Sequence, residues 1–143
     1  MMINTFKSYL QEQDSIGYLA FGRFNPPTIG HEKLLDTIAS KARGNAYKIF
    51  SSQSQDSKKN PLDYQTKVKF MRKMFPKHAR NIIMDKSVKT FIDAAVHMYD
   101  SGIKNLVMVA GSDRVTEFET LLKKYNGVKA RHGLFDFNSV KVI

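Results

Sequence analysis

The stretch Gly17-Tyr18-Leu19-Ala20-Phe21-Gly22-Arg23-Phe24-Asn25-Pro26-Pro27-Thr28-Ile29-Gly30-His31 decides the fold. It opens on a compact apolar run, residues 17–21, which reads as a strand ending at a glycine. It closes on the first turn of a helix over residues 30–42, whose Leu34, Leu35, Ile38 and Ala42 recur on one face. Between strand and helix, Gly22 lets the backbone turn and approach a ligand closely. Pro26 and Pro27 stiffen the loop and remove two N–H donors. Gly30 sits where a side chain would block access to the helix start. His31 falls in the first helical turn, where unpaired N–H groups and the positive end of the helix dipole favour an anion. Arg23 and His31 converge on that helix start, so the loop reads as a phosphate site. It is not a P-loop, because no G-x-x-x-x-G-K-[ST] run occurs.

Outward from this unit the chain goes on alternating. Residues 46–50, 82–84, 106–110 and 140–143 read as further strands, and 106–110, Leu-Val-Met-Val-Ala, is the most apolar run and the best central strand. A helix capped by Asn60, with Pro61 first and Asp63 in its first turn, supplies Leu62, Val68, Met71 and Phe75 to the interior. Another over residues 90–101 turns Phe91, Ala94, Ala95 and Met98 inward and is closed by Gly102. A third over residues 115–125 spaces Phe118, Leu121, Leu122 and Tyr125 helically. Residues 6–13 suggest a short helix, and the polar stretch 51–60 reads as a loop. The expected class is α/β: a doubly wound parallel sheet of about five strands, with helices on both faces. Ligands in such sheets bind beyond the C-terminal strand ends, where residues 22–31, 51–60 and 111–114 should gather.

A chain of 143 residues fits one domain, and 42% hydrophobic with 25% charged residues is ordinary globular usage. The absence of cysteine excludes a disulfide framework, a cysteine nucleophile and a cysteine-ligated metal. No run approaches the roughly 18 apolar residues of a membrane span, and residues 1–13 lack the apolar core of a secretory signal. A cytoplasmic protein without a membrane partner is expected. The net charge of +10 favours anionic partners, although its scatter also suits a solvated surface.

Residues 22–31 resemble the G-x-F-[ND]-P-x-[HT]-x-G-H signature of the nucleotidylyltransferase superfamily, with Phe24, Pro26, Thr28, Gly30 and His31 in register. Ala110-Gly111-Ser112-Asp113-Arg114 followed by Phe118 is similar to the G-x-D-x-x-x-x-F segment after the fourth strand of these enzymes. Ser52-Gln53 and Asn60-Pro61-Leu62 resemble the loop after the second strand in archaeal-type nicotinamide-mononucleotide adenylyltransferases, whose G-R-x-x-P-x-x-x-G-H run Arg23 also fits. The likeness spans most of residues 18–118. It implies a Rossmann-like sheet, ATP or CTP with Mg²⁺ carried on the triphosphate, and a phosphorylated small-molecule acceptor.

By that resemblance, His31 and the Thr28 hydroxyl contact the α-phosphate region, and Arg23 with Lys58 or Lys59 neutralises the outer phosphates. Gly22, Phe24, Asn25 and Gly30 belong to the nucleotide-binding loop. Gly111 lets base or ribose lie against the backbone, and Asp113 binds hydroxyls. No protein side chain is expected to ligate a metal. The superfamily's second signature, I-S-S-T-x-x-R, which holds the outer phosphates, does not occur in these residues. Either the sequence is a fragment or half the triphosphate clamp is lost.

Plainer readings stand beside these. Thr28 and Asp113 also suit helix caps, and Lys58 and Lys59 suit a solvated loop. Met71, Met74 and Met98 read as core fillers. His78, His97 and His132 stand isolated, without acidic neighbours at metal-ligand spacing. Tyr125, Phe135 and Phe137 read as core rather than a nucleic-acid platform. The leading expectation is adenylyl transfer from ATP to nicotinamide mononucleotide, with cytidylyl transfer to a sugar or polyol phosphate as its nearest rival. A non-catalytic nucleotide- or nucleic-acid-binding module comes next, and then an interaction protein reusing the fold. The oligomeric state, a homo-oligomer included, stays open.

Overall fold

The computed structural model of the chain describes residues 15–24, 28–53, 63–110 and 114–143. Five strands are described: β1 (Ile16–Gly22), β2 (Ala46–Ser51), β3 (Ile82–Ile83), β4 (Asn105–Val109) and β5 (Ser139–Val142). Four helices alternate with them: α1 (Ile29–Ala42), α2 (Tyr64–Met74), α3 (Phe91–Asp100) and α4 (Val115–Tyr125). The strands pair in parallel in the order β3-β2-β1-β4-β5. This is the Rossmann-like α/β sheet that the alternation predicts.

Strand side chains point alternately to opposite faces, and both faces of this sheet are buried. Leu19, Phe50, Leu106 and Met108 meet Ala94, Ala95 and Met98 of α3 and Phe118 and Leu122 of α4. Ala20, Ile49 and Ile82 meet Leu35 and Ile38 of α1 and Val68 and Met71 of α2. That double burial explains why the strands read as continuous apolar runs rather than alternating ones. Phe135 and Phe137 are buried in the first cluster, so they serve the core.

The sheet grows outward from β1 in two directions. The chain builds β2 and β3 on one side, then crosses to β4 on the other. Neighbouring loops leave β1 and β4 in opposite senses there, which opens a crevice at the C-terminal strand ends. The described residues 22–24 and 28–31, which follow β1, lie at that crevice.

Three expectations need correction. The second helix begins at Tyr64, with Asp63 as its N-cap accepting from Thr66 N at 2.7 Å, not at Asn60. Residues Pro76–Asn81 form a 3₁₀ helix before a two-residue β3, where the sequence suggested only a strand. Met74 is 41% exposed and so is not a core filler, whereas Met71 and Met98 are buried. The helix expected over residues 6–13, and the Asn60 and Pro61 cap residues, lie outside the described residues.

Candidate nucleotide site

β1 delivers the chain to the crevice through Gly22, whose carbonyl accepts from Ser52 N at 2.8 Å. A Cβ on Gly22 would come within 3.1 Å of the Phe24 ring. A side chain here would press on the folded-back Phe24 ring, which would have to shift by a few tenths of an ångström. A left-handed step falls on Phe24, at φ 47°, while Gly22 keeps a negative φ. A bulky residue rarely adopts this conformation, and holding it there needs compensating contacts.

Those contacts are present on both sides of the turn. The Phe24 side chain is 2% exposed and sits in the core cluster of Leu35, Ile38, Val68 and Met71. Its ring lies edge-on to the His31 ring, with centroids 4.8 Å apart. Phe24 thus packs its buried ring against His31. The preceding Arg23 carbonyl accepts from the Lys67 ammonium at 2.8 Å and lies 3.3 Å from the Ser51 hydroxyl, which also reaches the Ser52 carbonyl at 3.1 Å. The Arg23 side chain is exposed and has no ion-pair partner among the described residues.

The helix start fixes His31. Thr28 is the N-cap of α1, in extended conformation, and its carbonyl accepts from His31 N at 3.0 Å and Glu32 N at 3.3 Å. In return Thr28 N donates to Nδ1 of His31 at 2.9 Å, and the Thr28 hydroxyl lies 3.2 Å from the same nitrogen. A backbone N–H pointed at Nδ1 makes that atom the acceptor. In the neutral ring the proton therefore resides on Nε2. Burial lowers the His31 pKa below its usual 6.5, which keeps the ring neutral near pH 7. The result is an N–H donor of fixed tautomer at the positive end of a helix. Such a set binds an anionic oxygen. Glu32, also in the first turn, is the one acid of α1 placed against it.

Gly30 is exposed, and a Cβ there would meet nothing closer than Thr28 Oγ1 at 3.6 Å. Its backbone is not left-handed. Nothing described in the protein itself demands glycine at this position.

Of the other expected site residues, Asn25, Lys58, Lys59, Gly111 and Asp113 lie outside the described residues. Sequence reasoning missed Lys67. It is fully buried on α2, and the signal was present, since Tyr64, Lys67, Val68, Met71 and Phe75 recur at helical spacing. It also missed that Gln53 is tied down. Its amide donates to the Lys86 carbonyl at 2.9 Å and the Val88 carbonyl at 2.8 Å, joining the segments after β2 and β3.

Two histidines expected to stand isolated are partnered. His78 is buried between the Asp36 carboxylate, at 2.7 Å, and the Tyr47 hydroxyl, at 3.0 Å. His97 lies 3.5 Å from Asp85 and 3.2 Å from the Lys48 ammonium. Among the described residues no group of three or more His, Asp or Glu could hold a metal ion. None of the described helices is long and apolar enough to cross a membrane.

The sequence profile of a family described as cytidylyltransferase-like matches residues 19–139, which takes in β2, β3 and β4 whole, β1 from Leu19 and only Ser139 of β5. No curated protein and no solved structure matches the chain.

Proposed function

The chain belongs to the cytidylyltransferase-like family, within the nucleotidylyltransferase superfamily, and from that premise we propose that it transfers a nucleotidyl group from a nucleoside triphosphate to a phosphorylated small molecule. A phosphate oxygen of the acceptor forms a bond to the α-phosphorus. The bond from that phosphorus to its bridging oxygen breaks, and the electron pair leaves with pyrophosphate. No covalent bond to the protein is needed. The protein's task is to align the reactants and to meet the charge that builds on the α-phosphoryl oxygens.

The observation that carries this reading is the lock on His31. Its Nδ1 is held by the Thr28 N–H at 2.9 Å, which leaves Nε2–H as a donor at the start of α1. In the proposal that donor meets the α-phosphoryl oxygen, with Arg23 on the outer phosphates. The Thr28 hydroxyl shares the α-phosphate region. Asn25, Gly111, Asp113 and Lys58 or Lys59 complete the nucleotide's surroundings as the resemblance implies. Magnesium enters on the triphosphate oxygens, since its ligands there need no protein carboxylate.

ATP is the proposed donor and nicotinamide mononucleotide the proposed acceptor, on the strength of Arg23, Asn25 and the Asn60-Pro61-Leu62 run. Thermal unfolding with Mg·ATP and Mg·CTP tests this, with His31→Ala as control. A nucleotide at 100 times its Kd adds about 2.7 kcal/mol, a rise of several degrees in Tm. ATP-specific stabilisation that His31→Ala abolishes supports adenylyl transfer, and stabilisation by CTP alone moves the proposal to cytidylyl transfer. Stabilisation by neither overturns the nucleotide site.

A further inference from the structure

Lys67 poses a problem of physical chemistry. Its side chain is fully buried on the core-facing side of α2, between Tyr64 and Met71. Its one described hydrogen bond runs to a neutral acceptor, the Arg23 carbonyl at 2.8 Å. No acid pairs with it among the described residues. Burying an ammonium is costly, and a single bond to a carbonyl does not offset that cost. Leucine or methionine is the ordinary occupant of such a buried helix position. The charge and the donor must therefore serve something other than packing.

What they grip is the turn into the site. The Arg23 carbonyl precedes Phe24, the bulky residue held in the left-handed region at φ 47°. Rotating that peptide would swing the Phe24 ring away from the edge-on contact with His31, 4.8 Å between centroids. The hydroxyl of Ser51, itself buried, lies 3.3 Å from the same carbonyl at the end of β2, its one proton shared with the Ser52 carbonyl at 3.1 Å. Two elements thus converge on one peptide oxygen.

We infer that Lys67 is a positioning residue: its buried ammonium fixes the Arg23–Phe24 turn and, through the Phe24 ring, sets the orientation of His31 for nucleotidyl transfer. The inference rests on the function proposed above for the role of His31, but the coupling from Lys67 to His31 is a property of the protein without ligand.

The test has two arms. In the first, the imidazole nitrogens of the four histidines are followed by NMR in wild type, Lys67→Met and Lys67→Arg without nucleotide. The His31 signals should move in Lys67→Met, with Nδ1 losing its acceptor signature. They should stay near wild type in Lys67→Arg, which keeps a charged donor. His78, His97 and His132 report general disturbance and should not move. Should Lys67→Met fail to fold, Lys67→Gln takes its place in both arms. In the second arm, Mg·ATP and Mg·CTP affinities are compared, and Lys67→Met should weaken the nucleotide that wild type binds by about tenfold, the worth of one charge-assisted hydrogen bond. Unchanged His31 signals in a folded Lys67→Met protein overturn the inference, and so does movement of all four histidines together. A wild type that binds neither nucleotide overturns the proposed function and leaves the first arm to decide on Lys67.

Discussion

Gly30 has room for a side chain and a backbone that does not need glycine, yet it stands at the second position of a helix, where glycine costs backbone entropy. Gly30→Ala should therefore stabilise the free protein, by up to about 1 kcal/mol. The same methyl would project at the helix start and weaken nucleotide binding. Denaturant unfolding and nucleotide titration on one sample separate the two effects, and a destabilised Gly30→Ala protein would contradict the reading. This residue and His31 were legible because strand, loop and helix start follow one another in sequence, so their spacing alone sets their place. Phe24 was legible in position but not in backbone conformation. Nothing in a phenylalanine announces a left-handed backbone, and here the preceding Arg23 carbonyl is met by Lys67 and Ser51, 44 and 28 residues from Arg23. Contacts of that span are set by the packed sheet and leave no local mark.

At the scale of elements, helix starts separate what is local from what is not. α3 begins with a reciprocal cap: Thr90 Oγ1 accepts from Asp93 N at 3.2 Å, and Asp93 Oδ2 accepts from Thr90 N at 3.1 Å. The Thr-x-x-Asp pattern makes this start readable, and the boundary expected from sequence agrees. Thr90→Ala should cost about 1 kcal/mol, measured as a fall in the urea midpoint with an unchanged slope; a neutral effect would show that the cap contributes nothing. α2 shows the opposite outcome. Asn60-Pro61 is a strong local start signal, but the described helix is capped by Asp63. Two capping residues stood three positions apart, and the sequence offered no means to rank them. The 3₁₀ helix Pro76–Asn81 escaped for a related reason. Its place depends on His78 reaching Asp36 and Tyr47 across the fold.

For the whole molecule, the histidines and carboxylates with shifted pKa values act in one direction. Burial lowers the pKa of His31. It also lowers that of His97, which the Lys48 ammonium depresses further while Asp85 and Asp100 partly oppose. A histidine whose pKa is lower in the folded state binds fewer protons there than in the unfolded chain. Its contribution is full above the unfolded value of 6.5 and is lost as pH falls through the folded value. Asp63, Asp85 and Glu119 have pKa values lowered chiefly by hydrogen bonds, from Thr66 N, the Ser87 hydroxyl and Val142 N respectively. Their contributions are present above the ordinary carboxylate range and vanish as pH falls below it. A net charge of +10, which grows as these groups take up protons, adds self-repulsion to both losses. Stability should consequently decline in two stages on acidification, first below about pH 6.5 from the histidines and then below about pH 4 from the carboxylates. The double variant His31→Gln, His97→Gln should flatten the first stage and leave the second. Urea unfolding midpoints from pH 8 to pH 3 read both stages directly. A first stage that persists in the double variant would place the acid sensitivity elsewhere and remove the case for a neutral His31 at the start of α1.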